Sequence, residues 1–407
     1  MLFLPNSNIT KMIRRDFLQT SLKASLGLMA IPNTASAFVN QQFSNIHLPQ
    51  YQGNIIIVGA GAAGLMAGYL LQKNGIQFQI MEASEVFGGR VKKLADFADF
   101  PIDAGAEWIH TSPKILRKLL GKPIQNVPVE TIEYNPQKIS ITQDRKLEKA
   151  NYLRNYYSEY KFKSTTWFDY FNEYIVPNIK DKIRLNTPIK SINYQSSKVK
   201  LTDIKGKAYT CDKVLVTVPI SILQKDLIEF TPPLPAQKLA ALKKVEMPPG
   251  LKVFIEFSEK FYPDVIVGDM EAMREQDYYK TFYDAAFKKD SKKNILGLLA
   301  TGIPALQYAH LNDDKIIQEV LKELDNYFEG KASKTYQKHF IQDWTKHPFI
   351  QGSYSHFGRG SRRIIKILAK PINNQVFFAG EAMNTHREYA TVHGAAISAR
   401  DALEEMF

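Results

Sequence analysis

Three glycines in a fixed spacing, Gly59, Gly61 and Gly64, carry the clearest chemical signal in this chain. Gly59 allows a tight turn, Gly61 lets the backbone approach a pyrophosphate, and Gly64 lets a helix pack close to a strand. Glu82 follows 23 residues after Gly59, where an acid can accept hydrogen bonds from a ribose. Together they predict a dinucleotide-binding site, although a glycine pattern alone would fit an ordinary strand–helix turn.

The segments around these glycines supply the elements that such a site requires. Residues 54–58 are an apolar, β-branched run typical of a buried parallel strand. A helix is predicted over residues 65–73 and a second strand over residues 76–81, directly before Glu82. Strand, glycine turn, helix, strand and acid therefore occur in the order of a Rossmann-like fold. The helix N-terminus offers free N–H groups to the phosphate.

A second glycine pair with an arginine, Gly88-Gly89-Arg90, indicates the kind of dinucleotide. A nicotinamide-binding fold does not require the backbone to approach its cofactor again at this point, whereas a flavin protein does. Without the preceding strand and acid, the pair would be interpreted as a flexible loop. With them, it favours a flavin.

Composition limits the class of protein. The chain has 407 residues, of which 44% are hydrophobic and 23% charged, so it is globular with a sizeable core and two or three domains. Cys211 is the single cysteine, which excludes a disulfide framework and multi-cysteine metal sites. We expect no metal. No apolar run is long enough to span a bilayer, so we expect no stable membrane anchor. We also expect no nucleic-acid partner.

Eight short motifs between about residues 53 and 407 occur in a recognisable order. They are residues 59–64, 88–90, 105–110, 214–219, 230–235, 250–257, 352–355, and 378–381 together with 391–395. In this order they resemble the flavin-containing amine oxidases, a family that includes monoamine, polyamine and L-amino-acid oxidases and the flavin histone demethylases. Each motif alone is modest, but the ordered set is specific.

The resemblance implies an FAD cofactor and the residues that hold it. Those residues are Gly59, Gly61, Gly64, Glu82, Gly88, Gly89 and Arg90, with the backbone of Ile189, toward the adenosine end; Gly105, Ala106, Trp108 and Trp344 beside the isoalloxazine; Gly380 and Glu381 at the ribityl–phosphate arm; and Thr391 and Val392 at a helix start facing the pyrimidine side. Monoamine oxidases attach their flavin through a cysteine where this chain has Ser353. We therefore predict non-covalent FAD.

Lys252 is the first catalytic candidate. Most lysines are solvated surface charges. Lys252, however, begins a strand-like run over residues 251–257, on the face opposite the apolar one, together with Phe254 and Glu256. In the family, a lysine at this position holds a water against flavin N5. The resemblance thus implies an electrostatic and proton-handling role beside the hydride acceptor.

Tyr354, Tyr389 and His110 complete the candidate site. The two tyrosines match positions where the family places aromatic rings that face each other over the flavin and form a slot for an amine. His110 matches a histidine that lines the substrate site of polyamine oxidases, which favours polyamines as substrates. A hydrogen-bonded, partly buried structural histidine is an equal alternative.

We predict an α/β fold with a Rossmann-like FAD-binding domain and a second, α+β substrate-binding domain, as in the two-domain amine oxidases. Residues 53–110, 183–245 and 350–407 are assigned to the first domain, and residues 111–182 and 246–349 to the second. In the second domain, a helix is predicted over residues 313–328, with a cap at Asn312 or Asp313. The active site is expected between the domains.

The implied reaction oxidises the C–H bond next to an amine nitrogen. The small-molecule substrate reacts as the neutral amine and a hydride passes to flavin N5. Water then hydrolyses the iminium to an aldehyde or keto product, with release of ammonia or a smaller amine. Dioxygen reoxidises the flavin and yields hydrogen peroxide. The protein positions and polarises the substrate, while the cofactor performs the difficult step, which is to accept the hydride.

Several alternatives remain open on the sequence. An L-amino-acid oxidase would need an arginine for the carboxylate, for which Arg387 is a candidate. A desaturase or a protoporphyrinogen-oxidase-like enzyme shares the nucleotide fold, and a non-catalytic flavin-binding envelope protein would use its basic surface. The full chain has a net charge of +12, and removal of residues 1–37 would leave about +9. A charge of +9 argues against steering of polycations, unless local acids such as Asp99, Asp103 and Glu107 reverse the field at the entrance.

Residues 1–37 resemble a twin-arginine export signal. Arg14 and Arg15 precede a mild apolar stretch over residues 22–31, and Ala35-Ser36-Ala37 is a small-residue site of the kind that signal peptidases cut. An amphipathic N-terminal helix is the alternative. We expect the twin-arginine machinery to export the folded protein to the periplasm or the medium of a bacterium. Either Met1 or Met12 can serve as the start.

Overall fold

A computed structural model describes residues 46–121, 129–143, 146–156, 159–268, 280–358, 360–386 and 388–407. The predicted export signal and Arg387 lie outside the described residues. Within them the chain forms two main sheets, and helices pack against both.

The strands in the described part of the chain are β1 (Ile55–Val58), β2 (Phe78–Met81), β3 (Lys93–Leu94), β4 (Ile102–Asp103), β5 (Thr131–Tyr134), β6 (Ile139–Gln143), β7 (Lys146–Lys149), β8 (Glu159–Phe162), β9 (Ile183–Arg184), β10 (Ile189–Asn193), β11 (Val199–Asp203), β12 (Ala208–Cys211), β13 (Lys213–Val216), β14 (Glu229–Thr231), β15 (Val245–Glu246), β16 (Gly250–Phe257), β17 (Val265–Val267), β18 (Lys280–Asp284), β19 (Asn294–Thr301), β20 (Tyr336–Asp343), β21 (His356–Phe357) and β22 (Val376–Phe378).

The α-helices in the same part are α1 (Ala62–Lys73), α2 (Lys114–Leu120), α3 (Trp167–Tyr174), α4 (Ile220–Gln224), α5 (Ala236–Leu242), α6 (Ile303–Leu306), α7 (Asp313–Phe328), α8 (Lys331–Thr335), α9 (Ser361–Ala369) and α10 (Val392–Met406).

The first sheet is parallel, in the order β22-β13-β1-β2-β9. The central strand β1 is fully buried and consists of isoleucine and valine, as expected for a strand covered on both faces. Helix α1 crosses from β1 to β2, and α10 packs along α1. The predicted Rossmann-like arrangement is confirmed. The helix begins at Ala62, three residues before the predicted start, because the glycine turn leads directly into its first turn.

The second large sheet has the order β20-β16-β19-β18-β17-β6-β7. Strand β16 lies between β19 and β20 and alternates between two cores: Leu251, Val253, Ile255 and Phe257 face one, and Phe254 faces the other. Helix α7 covers this sheet with its apolar stripe. The Asn312 side chain accepts a hydrogen bond from Lys315 N, which confirms the predicted cap.

The cores connect segments that the sequence assigned to different domains. Side chains of α2 and α3 pack in the same core as the glycine-turn helix α1. Phe97, Phe100 and Ile102 pack instead with the second large sheet. The residue bounds given above for the two domains stay a prediction.

Candidate functional site

The glycine turn is built so that two of its glycines tolerate no side chain. Gly59 has φ +107°, and a Cβ there would lie 2.8 Å from Thr217 Oγ1. A Cβ on Gly64 would lie 1.9 Å from the Gly59 carbonyl oxygen. These close contacts keep α1 packed against the C-terminal end of β1, so the N-terminus of α1 lies at that end of the strand.

Gly61 and Gly88 lie side by side: Gly61 has room around it, whereas a Cβ on Gly88 would lie 2.4 Å from the Val91 carbonyl oxygen. Gly88 N donates to the Ala60 carbonyl at 2.8 Å, so the second glycine pair lies on the first turn. Of the atoms in the described part of the chain, a Cβ on Gly61 would come within 4.0 Å of the Gly88 carbonyl oxygen alone. Among the described residues, no side chain caps the start of α1 at Gly61. This shallow, uncapped cradle fits a pyrophosphate.

Glu82 closes the far side of the cradle. Its carboxylate is buried and accepts hydrogen bonds from Ala60 N at 2.6 Å and Ser84 N at 2.8 Å. Burial raises the pKa of Glu82, although these backbone donors oppose the shift. The carboxylate keeps lone pairs for ribose hydroxyls. Thr187 N donates to the Glu82 carbonyl, which brings the start of β10, at Ile189, to this end of the site.

Glu381 is the junction of three segments of the site. Its carboxylate accepts from Arg90 Nη1 at 2.9 Å, from Ala390 N at 3.0 Å, and from both the backbone N and the hydroxyl of Ser355. Arg90 Nη1 also donates to the Ser353 carbonyl at 3.0 Å. The sequence predicted that Glu381 contacts the ribityl–phosphate arm of the cofactor, and this contact stays a prediction. In the structure, the Glu381 carboxylate is held by donors of the protein itself, Arg90, Ser355 and Ala390.

Both candidate tyrosines lie next to backbone groups that this junction holds. Tyr354 lies between Ser353 and Ser355, and Tyr389 precedes Ala390, whose φ of +60° is unusual for a residue with a side chain. Each tyrosine is half-buried. The ring of Tyr389 packs edge-on against Phe357, 5.1 Å between centroids. Gly380 has φ +150°, and no atom of the residues that the structure describes lies within 4 Å of where its Cβ would be.

Lys252 is buried, and its ammonium has three oxygen partners. Nζ donates to the carbonyls of Asp103 and Gly105, each at 2.9 Å, and to Glu107 Oε2 at 2.7 Å. A Cβ on Gly105 would lie 1.9 Å from the Arg90 carbonyl oxygen and 3.1 Å from the Trp344 ring. Lys252, Gly105 and Trp344 therefore meet at one place, beside the loop that carries the second glycine pair.

Sequence reasoning missed the partners of Lys252. Glu107 Oε1 lies 2.5 Å from Lys161 Nζ, and Tyr283 OH donates to Glu107 Oε2 at 2.5 Å. Burial opposes the charge on Glu107, but Lys161 and Lys252 outweigh it and lower its pKa to about 2. Lys161 had no motif around it that could have identified it.

The expectation that Glu107 and Asp103 reverse the field at the entrance is wrong. Both carboxyl groups are buried. Glu107 is neutralised by its two lysines, while burial and the neighbouring Glu107 raise the pKa of Asp103 well above its ordinary value. Asp99 is exposed and accepts a hydrogen bond from Ser291. Two of the three acids are therefore buried and not displayed at the surface, where an incoming cation would meet them.

The remaining candidates are placed as follows. The half-buried His110 places Nδ1 3.1 Å from Oε1 of the buried Glu159. Trp108 packs edge-on against Tyr134 and Tyr283, at 4.9 and 5.4 Å between centroids, and Ala106 is half-buried on the same loop. Thr391 caps α10 by accepting a hydrogen bond from Gly394 N, so the helix starts at Val392 as expected from the motif.

Comparison with known proteins identifies the family of this chain. Residues 168–406, more than half of the chain, match the family described as flavin containing amine oxidoreductase, and residues 57–122 match the NAD(P)-binding Rossmann-like domain. The chain therefore belongs to the flavin-containing amine oxidoreductases. Among the described residues, no helix is both long and apolar enough to cross a bilayer.

Two individual proteins to which the chain is similar have names consistent with this family. The chain is 31% identical over 223 residues to the lysine-specific histone demethylase 1B of Mus musculus, a match that covers 53% of this chain and 26% of the demethylase. It thus spans about a quarter of that relative's length. It is 23% identical to polyamine oxidase 3 of Oryza sativa subsp. japonica, over 89% of this chain and 90% of that protein.

A solved structure of a putrescine oxidase variant supports the fold. It superposes with a TM-score of 0.69 at 16% identity, over 88% of this chain and 99% of that one. The predicted fold class, a Rossmann-like domain with a second domain of the amine-oxidase type, is confirmed by this likeness and by the domain match.

Proposed function

We propose that the protein is an FAD-dependent amine oxidase that oxidises the C–H bond next to an amine nitrogen. The observation that carries the proposal is the meeting of the buried Lys252 ammonium with Gly105 and Trp344 beside an uncapped glycine cradle, in a chain of this family. When bound, FAD supplies the hydride acceptor. Gly59, Gly61, Gly64 and Glu82 would hold its adenosine and pyrophosphate.

The chain's own residues would perform the remaining tasks. Lys252 fixes a positive charge beside the cofactor ring, and Tyr354 and Tyr389 form the slot that orients the neutral amine. His110, paired with Glu159, lines the substrate side. Ser353 cannot form the cysteine-type bond to a flavin, which supports non-covalent FAD. The product is an aldehyde or keto compound with ammonia or an amine, and dioxygen is the final oxidant.

The test is the visible spectrum of the purified, FAD-loaded protein under anaerobic addition of spermine, benzylamine or L-amino acids. Loss of the flavin band with one class identifies the substrate. Absence of bleaching with all of them would refute the oxidase and leave a desaturase-like or non-catalytic flavin protein. An L-amino-acid oxidase predicts bleaching by amino acids alone.

A lysine pair of variants tests the site itself. Lys252→Met should keep the yellow colour and lose at least about tenfold in turnover or flavin reoxidation, because the fixed charge is gone. Lys293→Met is the control, since this exposed lysine pairs with Glu256 on the same strand. Equal kinetics in the two variants would remove Lys252 from its proposed role.

We also propose that the protein is exported folded by the twin-arginine machinery to the periplasm or medium. The paired arginines and the small-residue site support this. Changing both Arg14 and Arg15 to lysine should keep a yellow protein in the cytoplasm of the expressing bacterium. Export of that variant at the normal level would contradict the proposal.

A further inference from the structure

Two buried lysines share a single carboxylate beside the proposed flavin site. Glu107 receives Lys252 on Oε2 at 2.7 Å and approaches Lys161 through Oε1 at 2.5 Å. Among the ion pairs of the described residues, Glu107 is the carboxylate partner of both lysines. Each lysine has only 2% of its surface exposed. One negative charge therefore stands against two desolvated positive charges.

An aromatic box keeps the Lys161 ammonium away from water. Its Nζ lies 4.7, 5.2 and 5.1 Å from the ring centroids of Trp108, Tyr134 and Tyr283. Cation–π attraction stabilises an ammonium in such a box but adds no negative charge. The rings thus let the chain bury Lys161 without a second carboxylate.

Six other titratable groups lie around this pair. They are Asp103, Glu159, Lys289, His110, Tyr134 and Tyr283. Glu159 is occupied by His110, whose pKa it raises against the effect of burial. Asp103 has a pKa well above its ordinary value, because it is buried and faces Glu107. Lys289 adds a further positive charge that faces Lys161, with a pKa lowered to about 8 by burial. By contacts, two ammonium groups, Lys161 and Lys252, share the single carboxylate of Glu107, and Lys289 lies beside Lys161.

We infer that Lys161 is an electrostatic residue that makes the bound flavin easier to reduce. This rests on the proposed function. The Lys252 ammonium donates to the Gly105 carbonyl, and Gly105 has no room for a side chain, so the cluster ends at the backbone that the family resemblance places against the flavin ring. Reduction adds negative charge to the ring system. A fixed excess of positive charge next to it favours the reduced form.

The experiment measures the reduction potential of FAD-loaded protein against a reference dye at constant pH. In Lys161→Met, the ratio of reduced to oxidised flavin at a fixed dye potential should fall about tenfold, equivalent to about 30 mV for a two-electron couple. Lys161→Arg keeps the charge and should remain within about twofold of the wild type. Tyr283→Phe removes an uncharged hydrogen-bond donor from Glu107, and its ratio of reduced to oxidised flavin should also remain within about twofold of the wild type.

The outcomes separate the inference from the proposed function. A yellow Lys161→Met protein with an unchanged potential, or an arginine variant that behaves like the methionine one, overturns the inference. If Lys161→Met does not fold, Lys289→Met gives the same test at a half-buried position. The ratio of reduced to oxidised flavin should then fall about two- to threefold. An unchanged ratio would contradict the inference. A wild-type protein that refuses FAD, or that no amine bleaches, contradicts the proposed function instead.

Discussion

At the scale of single residues, His110 shows how a neighbour decides a charge. Burial disfavours a charged imidazole, but the Glu159 carboxylate 3.1 Å away outweighs this and raises the pKa of His110. A raised folded-state pKa means that the pair contributes its full stability below the unfolded value of about 6.5. That contribution is lost as the pH rises through the folded-state pKa.

Replacing Glu159 by glutamine should therefore destabilise the protein in a pH-dependent way. We expect the free energy of unfolding to fall by about 1–2 kcal/mol at pH 5.5 and by less at pH 9, since the charged hydrogen bond exists only with protonated His110. Denaturant titrations at the two pH values measure this. The same loss at both would show that the pair acts through packing alone, and His110→Gln is the control, because it removes the titrating group.

At the scale of elements, the turn between β1 and α1 separates a folding requirement from a binding requirement. Gly64 is needed because its Cβ would overlap the Gly59 carbonyl, whereas Gly61 has an ordinary φ of −76° and open space around it. A close approach of the cofactor to the backbone accounts for a glycine at position 61. The same turn thus requires glycine at two positions for different physical reasons, packing at Gly64 and binding at Gly61.

Alanine at these two positions makes a matched pair. Gly64→Ala should destabilise the cofactor-free protein by about 1–3 kcal/mol, because helix and turn must move apart. Gly61→Ala should stay within about 0.5 kcal/mol of the wild type and lose at least about tenfold in FAD affinity. Thermal unfolding of the cofactor-free protein and flavin titration measure the two effects. A Gly61→Ala protein that binds FAD normally would contradict the cradle.

At the scale of the whole molecule, net charge opposes capture of polycations. Residues 1–37 carry four basic residues and one acid, so cleavage would lower the net charge from +12 to +9. Of the three acids expected at the entrance, Asp103 and Glu107 are buried, and Glu107 is paired with two lysines, so these two offset the field little. Diffusional encounter with a cationic amine is then repulsive, and more so for a larger substrate charge.

Salt should therefore help highly charged substrates. If spermine is oxidised, its kcat/KM should rise about two- to fivefold between about 10 and 200 mM salt, because screening weakens the repulsion. Benzylamine, with a single charge, should change less under the same conditions. Steady-state rates at several ionic strengths provide the measurement. A decrease for spermine would point to an acidic entrance that attracts it.

Features that depend on a few neighbouring residues could be predicted without a structure. The glycine turn, the alternation along β16 and the Asn312 cap of α7 follow from backbone sterics, side-chain periodicity and local hydrogen bonding, which short segments encode by themselves. The ordered motifs indicated the family and its fold because each motif is a short segment whose residues meet a local packing or binding requirement.

The charge arrangement required the folded molecule. Lys161, Glu107 and Lys252 come from distant parts of the chain, and the Glu381 carboxylate joins Arg90 to Ala390 only after the segments have packed. A lysine is ordinarily a solvated charge, and nothing in its neighbours along the chain reveals that three aromatic rings will enclose it. Burial and long-range proximity arise from tertiary packing, and these decide which charges of this protein are shared and which stay unbalanced.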